Sequence, residues 1–262
     1  MKLCANLSLL FTEHKFLERF GAARDCGFSA VEIQFPYSEQ APALQQEIDN
    51  YQLQVALINI PAGDLMDGGY GLASHPKRRD QFKRAVEQCL LYADALAVER
   101  VNLLAGNQDP DYDREHLYDT FLENLDYCAT QLSQHNIATT FEAINTEDMP
   151  NFLINCTEHM VKVIRDLNNR HVSMQYDLYH MAKMREPISQ QLPDIIQHIG
   201  HVQFADTPDR QQPGTGELPF EELMMLLSSL NYQHWVGAEY KPSNKTAASL
   251  EWKDWFENHF PQ

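Results

Sequence analysis

Four short apolar runs in the second half of the chain carry residues for which a buried strand has no use. Thr139 to Phe141 ends on Glu142, Val172 to Tyr176 ends on Asp177, Val202 and Phe204 bracket Gln203, and Trp235 to Ala238 ends on Glu239. An ionised carboxylate in a dry setting is costly without a partner, so each tip needs a cation or a group facing it across a site. Three carboxylates and an amide oxygen are hard donors. That set suits Mg2+ or Mn2+ and does not suit zinc, which prefers nitrogen or sulfur. Singly, each acid is better read as a helix cap or an ion pair; together, in order on successive runs, they point to a site.

Further groups lie close by in sequence. His180, three residues after Asp177, could act as a general acid or base or donate to a substrate hydroxyl; the plainer role is a structural hydrogen bond, and the other ten histidines have no claim. Lys241 and Arg210 could pair with a substrate carboxylate, against the alternative of a surface ion pair in an acidic chain.

Such residues need elements to position them. Short apolar runs alternate with longer helical patterns along the whole chain, the signature of repeated βα units and a parallel sheet. Strands are predicted at 3–7, 30–34, 55–59, 100–105, 138–142, 172–177, 201–204 and 235–240. Helices are predicted at 12–26, 42–51, 76–96, 114–135, 157–168, 188–197, 219–230 and 247–260. Eight such pairs make a single (β/α)8 TIM barrel, one domain over residues 1–262. Alternation puts Val172, Met174 and Tyr176 on one strand face and Ser173, Gln175 and Asp177 on the other. If the apolar face meets the helices, Glu142, Asp177, Gln203 and Glu239 gather inside the mouth. Two long loops, 61–75 and 206–217, follow the third and seventh strands and read either as lids or substrate walls or as tolerated surface excursions, with Gly214 and Gly216 as turn residues.

Composition narrows the partners. A net charge of −17 repels phosphate, so no nucleic-acid partner is expected; Lys77, Arg78 and Arg79 read as a solvated helix start. Five scattered cysteines without C-x-x-C spacing argue against a disulfide framework and a zinc site. No stretch has the length of a membrane span, and a soluble cytoplasmic protein is expected. Whether it forms a homo-oligomer is left open.

The motifs Asn6-Leu7-Ser8, Phe35-Pro36-Tyr37, Asn59-Ile60-Pro61-Ala62-Gly63-Asp64, Gln175-Tyr176-Asp177-Leu178-Tyr179-His180, His201-Val202-Gln203-Phe204-Ala205-Asp206, Pro213-Gly214-Thr215-Gly216-Glu217 and Gly237-Ala238-Glu239-Tyr240-Lys241-Pro242 resemble the hydroxypyruvate isomerase family of xylose-isomerase-like TIM barrels. The resemblance spans nearly the whole chain, in order. It implies a divalent metal on Glu142, Asp177, Gln203 and Glu239, with Glu142 and Glu239 also forming the proton donor and acceptor pair. Substrate contacts would fall to His180, Lys241, Arg210 and Asn59. The implied reaction is isomerisation of a small hydroxy-oxo acid, such as hydroxypyruvate to tartronate semialdehyde. Alternatives are a 2-oxo-tetronate isomerase or a ketose 3-epimerase, the latter disfavoured because related epimerases usually carry histidine where Gln203 stands. Outside this class stand an endonuclease IV-like DNA-repair enzyme and a non-catalytic sugar-acid-binding protein.

Overall fold

The computed structural model describes residues 1–261, and Gln262 lies outside the described residues. The strands are β1 (Lys2–Asn6), β2 (Ala30–Ile33), β3 (Gln54–Asn59), β4 (Arg100–Leu103), β5 (Ala138–Glu142), β6 (Val172–Asp177), β7 (Ile199–Phe204) and β8 (Trp235–Ala238). Each pairs in parallel with the next, and β8 pairs with β1 to close the barrel. The surrounding helices are α1 (Glu18–Asp25), α2 (Ala41–Tyr51), α3 (Arg79–Ala95), α4 (Arg114–Ser133), α5 (Thr157–Leu167), α6 (Leu178–Lys183), α7 (Ile188–Ile195), α8 (Phe220–Ser229) and α9 (Glu251–His259).

Three helical expectations need correction. The first helix begins at Glu18, six residues later than the pattern suggests, because the chain first closes separate turns, with the His14 N–H on Phe11 O and the Glu18 N–H on Lys15 O, both at 2.9 Å. The last is split: a 3-10 turn over Thr246–Ser249 precedes α9. Between β6 and α7 lies the unforeseen α6, capped by Asp177, whose Oδ1 accepts the Tyr179 N–H at 2.8 Å. Six residues are too few for a periodic pattern to register.

The apolar core lies between barrel and helices. Phe141 on β5 meets Phe121 on α4 edge-on, and Phe204 on β7 packs against Phe220 of α8 and Trp252 of α9. Both strand phenylalanines are fully buried, and truncating either to Ala costs roughly 3–5 kcal/mol. The barrel interior is polar by contrast. Asn6, Glu32, Asn59, Asn102, Glu142, Gln175, Asp177, His201, Gln203 and Glu239 are all buried, so the inward parity predicted for the later strands extends to the earlier ones. Among the described residues no helix is long and apolar enough to cross a membrane.

Candidate active site

The strand register sets the depth of each side chain. Asp177 pairs with Gln203, and Gln203 pairs with Gly237, which places Glu239 two residues further toward the mouth. Glu142 lies level with Gln175. Each glutamate is held by side-chain amides. Glu142 Oε1 accepts from Asn102 Nδ2 and its Oε2 from Gln175 Nε2, both at 2.9 Å. Glu239 Oε1 accepts from Asn6 Nδ2 at 2.9 Å and Gln34 Nε2 at 2.8 Å. Its Oε2 takes Arg210 Nη2 at 2.5 Å, and the same Nη2 stands 3.7 Å from Asp177 Oδ2. Arg210 is therefore an inward ion pair, not the surface pair weighed from sequence.

Crowding of buried acids shifts their protonation. Burial, with the charges of Glu239 and Asp177, raises the Glu142 carboxyl to about 8. Burial raises Asp177 to about 7 against the opposing pull of Arg210. Glu239 is also raised by burial, again offset by Arg210. Asp177 Oδ2 is buried with no hydrogen-bond partner. A group of hard oxygens carrying more negative charge than one guanidinium offsets, with one oxygen unpartnered, fits a divalent cation. Gln203 turns Oε1 to Gln175 Nε2 at 2.7 Å, and that oxygen retains a second lone pair.

One layer down lies a cluster that composition did not single out. Glu32, fully buried on β2, accepts from His201 Nε2 at 2.6 Å, Gln203 Nε2 at 2.7 Å and Asn6 Nδ2 at 2.9 Å, with the Cys4 thiol at 3.5 Å. Cys4, Glu32 and His201 each bring one ligand atom within 4.8 Å of the others, a group that could hold a metal ion. His201, given no role from sequence, is thus part of the buried polar interior. The pull of His201 and the hydrogen bonds from Gln203 and Asn6 outweigh the burial that would raise the Glu32 carboxyl, and it lies below its ordinary value. The Cys4 thiol is pushed up by burial and by Glu32.

The remaining predicted residues line one cavity of about 470 Å³ at the mouth, together with Glu142 and Glu239: Asn59, His180, Arg210 and Lys241. Asn59 Oδ1 accepts from Asn102 Nδ2 at 3.2 Å. His180 Nδ1 accepts the Asn145 backbone N–H at 3.4 Å, which puts the ring proton on Nε2, 3.5 Å from Asp177 Oδ2. Burial and the nearby Arg210 hold this imidazole well below its ordinary value, hence neutral. Lys241 is exposed at the rim. The loop after β7 is a fixed wall. The Asp206 carboxylate accepts backbone N–H groups from Thr207, Gly214, Gly216 and Leu218 at 2.8 to 2.9 Å. A Cβ on Gly216 would lie 1.8 Å from Thr207 O, so glycine is required there. This wall delivers Arg210, whose own φ of 57° is left-handed.

The family model of xylose isomerase-like TIM barrels matches residues 20–257. The chain is 37% identical to hydroxypyruvate isomerase of Escherichia coli (strain K12), over 97% of this chain and 98% of that one. It is 35% identical to 2-oxo-tetronate isomerase of Cupriavidus necator, over 96% of each. The crystal structure of AP endonuclease, family 2 from Brucella melitensis superposes with a TM-score of 0.94 at 35% identity, covering 97% of this chain and 98% of that one.

Proposed function

Because the chain belongs to the family of xylose isomerase-like TIM barrels, we propose that it is a divalent-metal-dependent isomerase of a small hydroxy-oxo acid, with hydroxypyruvate as the leading substrate. The observation that carries this reading is the pair of glutamates, Glu142 on β5 and the residue just past β8, Glu239, lining one cavity and each fixed by side-chain amides. The named isomerase relatives act in the same class by their names.

Glu142, Asp177, Gln203 and Glu239 would hold Mg2+ or Mn2+, which supplies Lewis acidity toward the carbonyl and the neighbouring hydroxyl oxygen. In the forward direction one glutamate takes a proton from the hydroxyl-bearing carbon of hydroxypyruvate, leaving an enediolate. The other, or the same one, delivers a proton to the adjacent carbon, so one C–H bond breaks and one forms. The hydroxyl proton crosses from one oxygen to the other, a transfer for which the His180 Nε2–H is suited. Lys241, exposed at the rim, holds the substrate carboxylate, and Asn59 contributes a further polar contact at the wall.

A four-carbon 2-oxo acid is the second reading, favoured by the 35% identity to a 2-oxo-tetronate isomerase and by a cavity of about 470 Å³. DNA repair is not favoured despite the name of the Brucella relative, since a chain of net charge −17 repels a phosphate backbone. The test is turnover of hydroxypyruvate with added Mg2+ or Mn2+, in the wild type and in Glu239→Gln. The variant should fold normally and lose roughly 100-fold to 10,000-fold in rate; near-normal activity would remove Glu239 from the mechanism.

A further inference from the structure

We propose that Glu32 is a positioning residue of this site: a buried acceptor that fixes the direction of the amide hydrogen bonds joining Glu142 to Glu239. The activity arm of the test rests on the isomerase reading; the geometry does not. An ionised carboxylate can only accept, and Glu32 is surrounded by donors from Asn6, Gln203, His201 and Cys4. Strand β8 leaves room for it, since a Cβ on Gly237 would stand 2.4 Å from Glu32 Oε2.

Glu32 is the nearer of the two acceptors that set how Gln203 faces, at 2.7 Å against 3.3 Å for Glu239. Gln203 must turn Nε2 to Glu32, at 2.7 Å, so its Oε1 faces Gln175 Nε2 at 2.7 Å. The same Gln175 nitrogen donates to Glu142 Oε2 at 2.9 Å. On the other side, Asn6 Oδ1 accepts the Ser8 N–H at 3.0 Å, leaving Nδ2 to bridge Glu32 Oε1 and Glu239 Oε1, each at 2.9 Å. Two directed routes therefore join Glu239 to Glu142: one runs through Asn6, Glu32, Gln203 and Gln175, and in a shorter one Gln203 Nε2 also donates to Glu239 Oε1 at 3.3 Å. Replacing Glu32 by an amide supplies a donor of its own, and Gln203 can then reverse and withdraw its oxygen from the Glu142 side.

The experiment compares Glu32→Gln with the wild type by Mn2+ titration calorimetry and by steady-state kinetics on hydroxypyruvate. Loss of an outer partner of this kind typically costs about 10-fold to 100-fold in metal affinity or activity. We expect that loss in both Mn2+ affinity and kcat, with KM changed less than about threefold; partial unfolding alone would lower kcat and the number of Mn2+ sites but leave the affinity of the folded sites unchanged. A folded variant with affinity and kcat both within about twofold of the wild type overturns the proposal. So does a second bound Mn2+ that disappears in the variant while the first and kcat are unchanged, since Glu32 would then be a ligand. If Glu32→Gln does not fold, Glu32→Asp decides: it keeps an acceptor charge for His201, draws the carboxylate back by one methylene from Gln203 and Asn6, and should lose about tenfold in the same quantities, while wild-type values overturn the proposal. A wild type that binds Mn2+ but turns over no oxo acid overturns the isomerase reading, and the affinity comparison still decides Glu32. A wild type that binds no Mn2+ overturns both.

Discussion

Arg210 Nη2 donates to Glu239 Oε2 at 2.5 Å and stands 3.7 Å from Asp177 Oδ2, so one guanidinium holds the charge of two proposed metal ligands. A divalent cation and this guanidinium compete for the same oxygens. Their exchange would release Arg210 toward the cavity that it lines beside Tyr179 and Lys241.

Removing the competitor should strengthen metal binding. In Arg210→Gln, Mn2+ affinity measured by calorimetry is expected to rise about tenfold, or ~1.4 kcal/mol, while KM for an oxo acid rises. Weaker Mn2+ binding in the variant would mean that Arg210 supports the carboxylates instead of displacing a cation from them.

Lys241 and His180 should separate in kinetics. Lys241 is exposed at the rim, where it can reach the carboxylate that does not react, so Lys241→Met should raise KM about tenfold at nearly constant kcat, the mark of uniform binding lost. His180→Gln removes the Nε2–H beside Asp177 and should lower kcat about 100-fold with a smaller change in KM. Steady-state kinetics on both variants read the split, and the reverse pattern would exchange the two roles.

The wall that carries Arg210 depends on a single carboxylate. In Asp206→Ala the backbone N–H groups of Thr207, Gly214, Gly216 and Leu218 lose their shared acceptor, at a cost of roughly 3 kcal/mol. For a chain of this size that corresponds to a melting temperature lower by about 6–12 °C. Thermal unfolding followed by circular dichroism checks it, and an unchanged melting temperature would show that the loop holds its shape without Asp206.

The barrel and the four strand-end residues were legible because β5 to β8 alternate cleanly. Phe141, Met174, Tyr176, Val202 and Phe204 mark the outer face, and their polar neighbours fall inward by parity. On β2 the same rule sets Glu32 opposite Val31 and Ile33, and that is the signal by which it could have been found. Its principal partner, His201, is 169 residues away, and no local spacing brings the two together. Arg210 was ambiguous because its place is set by backbone donors converging on Asp206, which leave no trace in side-chain pattern. The helix α6 is too brief to show a periodic pattern, although the Asp177 that caps it stands out in the sequence as a strand end.

Glu142 and Glu239 are proposed to move a proton between adjacent carbons of a small oxo acid. Nuclear magnetic resonance in heavy water, with hydroxypyruvate and a four-carbon 2-oxo acid in the presence of Mg2+ or Mn2+, tests it most directly. Deuterium should enter the reacting carbon during turnover, and incorporation should stop in Glu142→Gln, in Glu239→Gln and with a chelator present. Isomerisation that continues at a near-wild-type rate in Glu142→Gln and in Glu239→Gln, with or without deuterium reaching carbon, would contradict the role given to the two glutamates.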